Sequence, residues 1–230
     1  MPKIISQTIT PELPGLWFEG HAYSKSNLYK IDGEKLPPVN YDSHTINSHS
    51  LTHIETSKHT QENGKTIDQE LEHPEKFFGK CLVLKLKGNH YKKINDSIFH
   101  WEVSLTQLQE AIDKRSFSKL LLSTEFYPEN EFGFHDPNYV LTLSKEASQF
   151  LSETDGFNLY GTSWKSSDYN PGELDRPIHN ILFQKAVILE CLNLKDIQPG
   201  EYFLHAFPLP IKDASESPVM ATLFTYDELR

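Results

Sequence analysis

"INSHSLTHIETSKHT", residues 46–60, sets His49, His53 and His59 around Glu55, with His44 just upstream. Four of the chain's 11 histidines therefore fall within sixteen positions. Ser, Thr and His are poor helix-interior residues, so the stretch reads as extended or irregular. In a strand, His49, Leu51, His53, Glu55, Ser57 and His59 would share one face. A strand rises about 3.3 Å per residue, which would hold His49 and His53 roughly 13 Å apart. Metal–nitrogen bonds are about 2 Å long, so one ion reaches both only if the backbone bends or coils between them. Two ions would relax that demand. Read alone, the stretch permits a metal site and equally permits a polar loop rich in histidine.

A second stretch supplies what the first lacks. Glu190 lies inside "KAVILECLNL" (185–194), with apolar neighbours at both parities. Burying an unpaired carboxylate costs several kcal/mol, on the order of a whole domain's margin. Glu190 therefore needs a cation, a donor network or a solvent-facing edge strand. Because the flanking residues are apolar on both faces, an edge strand is the weaker reading. His179, eleven positions earlier, makes a His and carboxylate metal site the reading that resolves both stretches. His plus carboxylate ligands suit zinc, manganese or iron(II).

Composition narrows the setting. The net charge of −10 repels phosphate backbones, so nucleic acid is not an expected partner. Cys81 and Cys191 are far apart and outside any CxxC pattern, which fits a reduced compartment. The amino terminus has no charged segment followed by an apolar one, and no apolar run approaches the roughly 20 residues of a membrane helix. The expected setting is cytoplasmic, with no membrane partner. No GxSxG, GxGxxG, P-loop or HExxH motif is present.

The 230 residues carry no repeat or low-complexity linker and are read as a single domain over 1–230. Residues 1–45 are rich in proline and turn formers, which implies irregular structure with short strands. "KCLVLKL" (80–86), "KLLLSTEF" (119–126) and "FNLYGTS" (157–163) read as strands. "SLTQLQEAID" (104–113) reads as an amphipathic helix capped by Ser104. "NYVLTLSKEASQFLSET" (138–154) reads as a helix with Val140, Leu143, Ala147, Phe150 and Leu151 on one face. "KAVILECLNL" and "EYFLHAFPLP" (201–210) read as late strands joined by a turn at "QPG". Strand, helix, strand, helix, strand is the order of an α/β fold with parallel pairs.

At these residues the sequence resembles a known family. "HSLTHIETSKH" is similar to the HxGTHxDxPxH motif of the metal-dependent cyclase family, which includes bacterial kynurenine formamidase (arylformamidase) and isatin hydrolase. "HNILFQKAVILECLNLKDI" (179–197) resembles its second block, and "ISQTITPELPGLWFEG" (5–20) its N-terminal strand and turn. "KLLLSTEF" and "LYGTSWKSSDY" (159–169) resemble its central strands, so the likeness spans most of the chain.

The resemblance implies a cyclase-type swivelling β/β/α fold with mixed sheets and central helices, assembled as a homodimer or larger homo-oligomer. It implies two divalent ions, zinc or manganese. His49 and His53 would bind the first, Glu55 would bridge, His179 would bind the second, and Glu190 would contact both. His59 falls at the general acid/base position, and Trp17 is a candidate for packing on an aromatic substrate. Three positions depart from the motif: Leu51 stands for Gly, Glu55 for Asp and Ser57 for Pro. The function expected is hydrolysis of a small amide, N-formylkynurenine-like or cyclic. Metals there would lower the pKa of water and polarise the carbonyl. The departures motivate a second reading, a metal- or ligand-binding member without catalysis.

Overall fold

The computed structural model describes residues 1–32, 37–169 and 175–230. Part of the 1–45 reading, at 33–36, lies outside the described residues. In chain order the first strands are β1 (Lys3–Ile4), β2 (Tyr23–Tyr29), β3 (Tyr41–Ile46) and β4 (His53–Glu55), followed by helix α1 (Ile67–Glu70). Next come β5 (Phe78–Leu86), β6 (Lys92–Lys93), β7 (Phe99–Val103), α2 (Leu105–Ile112), β8 (Lys119–Thr124), β9 (Tyr139–Leu143) and α3 (Lys145–Glu153). The chain continues with β10 (Leu159–Thr162), α4 (Pro177–Leu182), β11 (Val187–Glu190), β12 (Gly200–His205), β13 (Glu216–Pro218) and β14 (Thr222–Phe224).

One mixed sheet runs β1-β14-β12-β5-β8-β10-β11-β4-β13. Its centre, β5-β8-β10-β11, is parallel, because each pair is joined through a helix. β12 and β4 then close the two sides antiparallel. The helices α2, α3 and α4 lie on one face, where Leu108, Leu151 and Leu182 pack on Leu82, Leu120, Tyr160 and Ile188. The other face buries Cys81, Val83, Leu121, Val187 and Leu189 against Ile54, Tyr202 and Leu204. Burial on both faces is why these strands read as nearly unbroken apolar runs.

Ser104 caps α2 as expected, accepting a hydrogen bond from the Gln107 N–H. The 138–154 reading needs correction. Residues 139–143 are strand β9, paired parallel to β7, and helix α3 begins only at Lys145. Ser144 is the N-cap that separates them. Tyr139, Val140 and Thr142 prefer a pleated, half-buried surface, and the sheet partner β7 overrides a helical period that arose by chance. The amino-terminal region also holds a longer pair than short strands suggest. β2 and β3 form a separate two-stranded sheet, where His44 stacks on Tyr23 away from the other histidines. No helix among the described residues is long and apolar enough to cross a membrane.

Candidate functional site

The site forms where the sheet changes from parallel to antiparallel, at the carboxyl end of β11. Crevices beyond the carboxyl ends of parallel strands are the usual ligand positions of such sheets. The β4 register puts His53 opposite Glu190 and Glu55 opposite Ile188. His53, Glu55 and Glu190 therefore share the helix-bearing face, and His179 reaches them from α4.

The backbone does coil between the first two histidines. Residues Ser48–Ser50 form a 3-10 turn, and only His53–Glu55 is extended. This brings His49 Nδ1 to 3.0 Å from His53 Nε2. Leu51 has φ −131° and ψ 174°, extended backbone open to any residue, so no glycine is required. Its side chain is instead buried with Leu13, Ala22 and Phe134. Ser57 opens a second 3-10 turn, Ser57–His59, and its Oγ accepts the Lys65 N–H at 2.9 Å. Gly64 closes this loop. A Cβ there would fall 2.3 Å from the Ser57 carbonyl carbon, so only glycine allows the approach that carries His59.

Glu55 is the hub. Its Oε1 lies 2.8 Å from His49 Nδ1, 3.1 Å from His53 Nε2 and 3.7 Å from His59 Nε2. Its Oε2 lies 3.1 Å from His179 Nε2. Glu190 stands 3.7 Å from His179 Nε2 and 4.0 Å from His53 Nε2, and accepts a hydrogen bond from Ser167 Oγ at 2.8 Å. All five residues inferred to hold metal are thus brought together, with His59 beside them. Trp17, 47% exposed, lines the same pocket of about 460 Å³ and donates its Nε1–H to the His49 carbonyl.

Three of the four imidazoles are held from behind. His53 donates Nδ1–H to the Leu51 carbonyl at 2.8 Å. His179 Nδ1 meets Asp168 Oδ2 at 2.5 Å, and Asp168 also accepts the Ile178 and His179 N–H groups. His49 Nε2 faces Glu216 Oε2 at 3.5 Å. Each outer nitrogen has an acceptor, so the inner nitrogen faces the two carboxylates, donating a hydrogen bond to them when the imidazole is protonated and offering its lone pair to a cation when it is not. This is the arrangement that orients metal-binding histidines. His59 has no such acceptor among the described residues.

The electrostatics agree. Glu55 and Glu190 are 2% and 1% exposed, and among the described residues no lysine or arginine pairs with either. Burial pushes the Glu55 carboxyl up, but hydrogen bonds from His179, His49 and His53 outweigh it and hold it well below the usual carboxylate range. Burial and then the Glu55 charge push Glu190 up. For His179, burial is outweighed by Asp168 and Glu55, which hold it up at about 10. His49 is likewise held at about 10 against burial, by Glu216 and Glu55. Burial lowers His59. Two buried carboxylates amid imidazoles make a pocket that calls for positive charge.

The donor set fits a divalent cation. His49, Glu55 and His59 form one group with ligand atoms within 4.8 Å of one another, and His53, Glu55 and Glu190 form another. Glu55 belongs to both. Asp168, Ser167 and Glu216 were not singled out from the sequence. "SSDY" and "ESP" carry no local pattern, and these residues meet the site only through a loop and the edge strand β13.

Fold and site together define an α/β protein with a buried His and carboxylate centre suited to a cation, set at the edge of its parallel strands. Residues 5–169 match the sequence profile of the family described as "Putative cyclase". The chain belongs to that cyclase family. A kynurenine formamidase of Geobacillus thermodenitrificans is 30% identical over 187 residues, 80% of this chain and 80% of that protein. Another, of Erythrobacter litoralis, is 27% identical over 221 residues, covering 95% of this chain and 91% of its own. The solved structure of isatin hydrolase A from Labrenzia aggregata, bound to benzyl benzoate, superposes with a TM-score of 0.76 at 17% identity, over 98% of this chain and 94% of that one. This likeness establishes the fold, including the mixed sheet expected from the sequence.

Proposed function

We propose that this chain is a metal-dependent hydrolase of a small, non-peptide amide. His49, His53, Glu55, His179 and Glu190 hold two divalent ions, zinc or manganese, and His59 carries the proton. The observation behind the reading is the set of outer acceptors, the Leu51 carbonyl, Asp168 and Glu216, that aim three imidazoles at Glu55 and Glu190. The kynurenine formamidase relatives support C–N cleavage, with an N-formylkynurenine-like or cyclic amide as substrate.

Bound metal supplies Lewis-acid polarisation of the carbonyl and lowers the pKa of water. The chain's own residues do the rest. Asp168 and Ser167 fix His179 and Glu190 in place. His59 Nε2, 3.7 Å from Glu55 and free of an outer acceptor among the described residues, takes a proton and returns it to the leaving amine. Trp17 packs against an aromatic portion of the substrate. The proposal treats residues 1–230 as one cytoplasmic domain acting on a small molecule as a homodimer or larger assembly, which light scattering tests.

His59→Ala is the discriminating variant. Metal content is expected to persist while hydrolysis of N-formyl aromatic amines falls about 10²–10⁴-fold. Unchanged turnover removes His59 from its role, and absence of bound metal at neutral pH removes the whole reading. Two tightly held ions with no turnover of any amide, lactam or lactone would favour a binding protein.

A further inference from the structure

His59 differs from the other three imidazoles, because no acceptor among the described residues stands behind its ring. Its place in the pocket is therefore set by the loop that carries it. That loop is closed by its own backbone. The Gln61 and Gly64 N–H groups donate to the Ser57 and Gln61 carbonyls, each at 2.9 Å, and the Lys58 N–H donates to the Lys65 carbonyl at 3.1 Å. The Lys65 N–H returns to Ser57 Oγ at 2.9 Å. These bonds give the loop its shape. They do not fix where the loop sits relative to Glu55 and His179.

Among the described residues, the side-chain hydrogen bonds that leave residues 57–65 converge on one atom, Asn180 Oδ1. Thr60 Oγ1 donates to it at 2.8 Å and Gln61 Nε2 at 3.3 Å. Asn180 Nδ2 donates in turn to the Asp175 carbonyl at 2.7 Å, so the amide has one orientation that satisfies both ends. Thr60 directly follows His59, and Asn180 directly follows His179, whose ring lies 5.6 Å from that of His59 between centroids. Asn180 stands on an anchored element, because Asp168 accepts the Ile178 and His179 N–H groups of α4. Thr60 is β-branched and Asn180 is short, so the link between them has few torsions to lose.

We propose that Asn180 is a positioning residue: through Thr60 it holds the His59 ring at its working distance from Glu55 and His179. This inference rests on the hydrolase reading above. The step it serves moves one proton twice. His59 takes it from the water that adds to the carbonyl carbon, and gives it to the nitrogen as the C–N bond breaks. Proton transfer needs the two heavy atoms within hydrogen-bond reach, and a displacement of about 1 Å can cost up to about 100-fold in rate. Thr60 and Asn180 touch neither the substrate nor the metal ligands' inner nitrogens. Their effect falls on the rate of the proton step and spares the binding of metal and substrate.

The test uses Thr60→Val, which removes the donor at nearly constant shape, and Asn180→Ala, which removes the acceptor. With metal-loaded protein and formanilide, each should lower kcat about tenfold, with KM and metal affinity by chelator competition changed less than about twofold. Both variants break one link, so the double variant should lose no more than the worse single one. Thr60→Ser keeps the hydroxyl and should retain the wild-type kcat. Hydrogen–deuterium exchange in the metal-free protein gives a readout independent of turnover. The Lys58, Gln61 and Gly64 amides should exchange faster in Thr60→Val and Asn180→Ala, while those of α2 and α3 keep their rates. Faster loop exchange in the variants, with no turnover of any amide by wild type, keeps Asn180 as the anchor of the loop and removes the hydrolase reading. Wild-type turnover that both variants leave unchanged overturns the positioning role and leaves the hydrolase standing. So does a joint loss of kcat, KM and metal affinity, or losses that multiply in the double variant.

Discussion

Two of the places where charge is buried among the described residues are built differently. At the start of β8, Lys119 is 1% exposed, with Nζ donating to the Glu75 carbonyl at 2.7 Å and to Asn158 Oδ1 at 2.9 Å. It is a cation surrounded by acceptors and satisfied by them. At the end of β11 two buried carboxylates converge: Glu55 and Glu190 meet the inner nitrogens of three histidines whose outer nitrogens are already engaged. A buried charge is therefore no sign of function in itself. What marks the site is an excess of acceptors aimed at one volume, which only a cation or added protons can balance.

The largest effect should come from removing what aims the lone pairs. Asp168→Asn loses the charge behind His179 and should weaken metal binding about 10–100-fold in a chelator competition. Glu216→Gln, behind His49 at 3.5 Å and half-buried, should weaken it less than about tenfold. The reverse order would break the contrast, because it would mean that burial of the outer partner does not set its influence.

A smaller effect belongs to Lys119. Burial pushes its pKa down from 10.5 to about 8. Between those values the unfolded chain binds a proton that the folded chain has released. Stability therefore rises with pH over this window, by about 1–2 kcal/mol after allowance for solvent screening. Lys119→Met should lose that part of the slope in denaturant titrations at pH 8 and 10. An unchanged slope would show that Lys119 stays charged and sharpen the contrast with the acceptor-rich end.

The same contrast explains what could be read from the sequence. Residues buried on both faces leave unbroken apolar runs, so β5, β8, β10 and β11 were visible. Glu190 stood out against such a run. Strand β9 was misread because Val140 and Leu143 extend the helical period of Ala147, Phe150 and Leu151, while its strand partner β7 lies distant in sequence. Of the residues gathered at the candidate site, His49, His53, Glu55, His59, His179 and Glu190 stood out through clustering, an apolar context and family resemblance. Asp168, Ser167 and Glu216 did not, since their proximity arises only when a loop and an edge strand meet. At Leu51, where the motif has glycine, the backbone is extended, and the 3-10 turn before it does the bending.

Anomalous diffraction from crystals grown with zinc or manganese tests the central claim most directly. The account predicts two peaks on either side of the Glu55 carboxylate, within bonding distance of His49, His53, His179 and Glu190. A map with no peak among these side chains, at metal concentrations that saturate binding in solution, would contradict it.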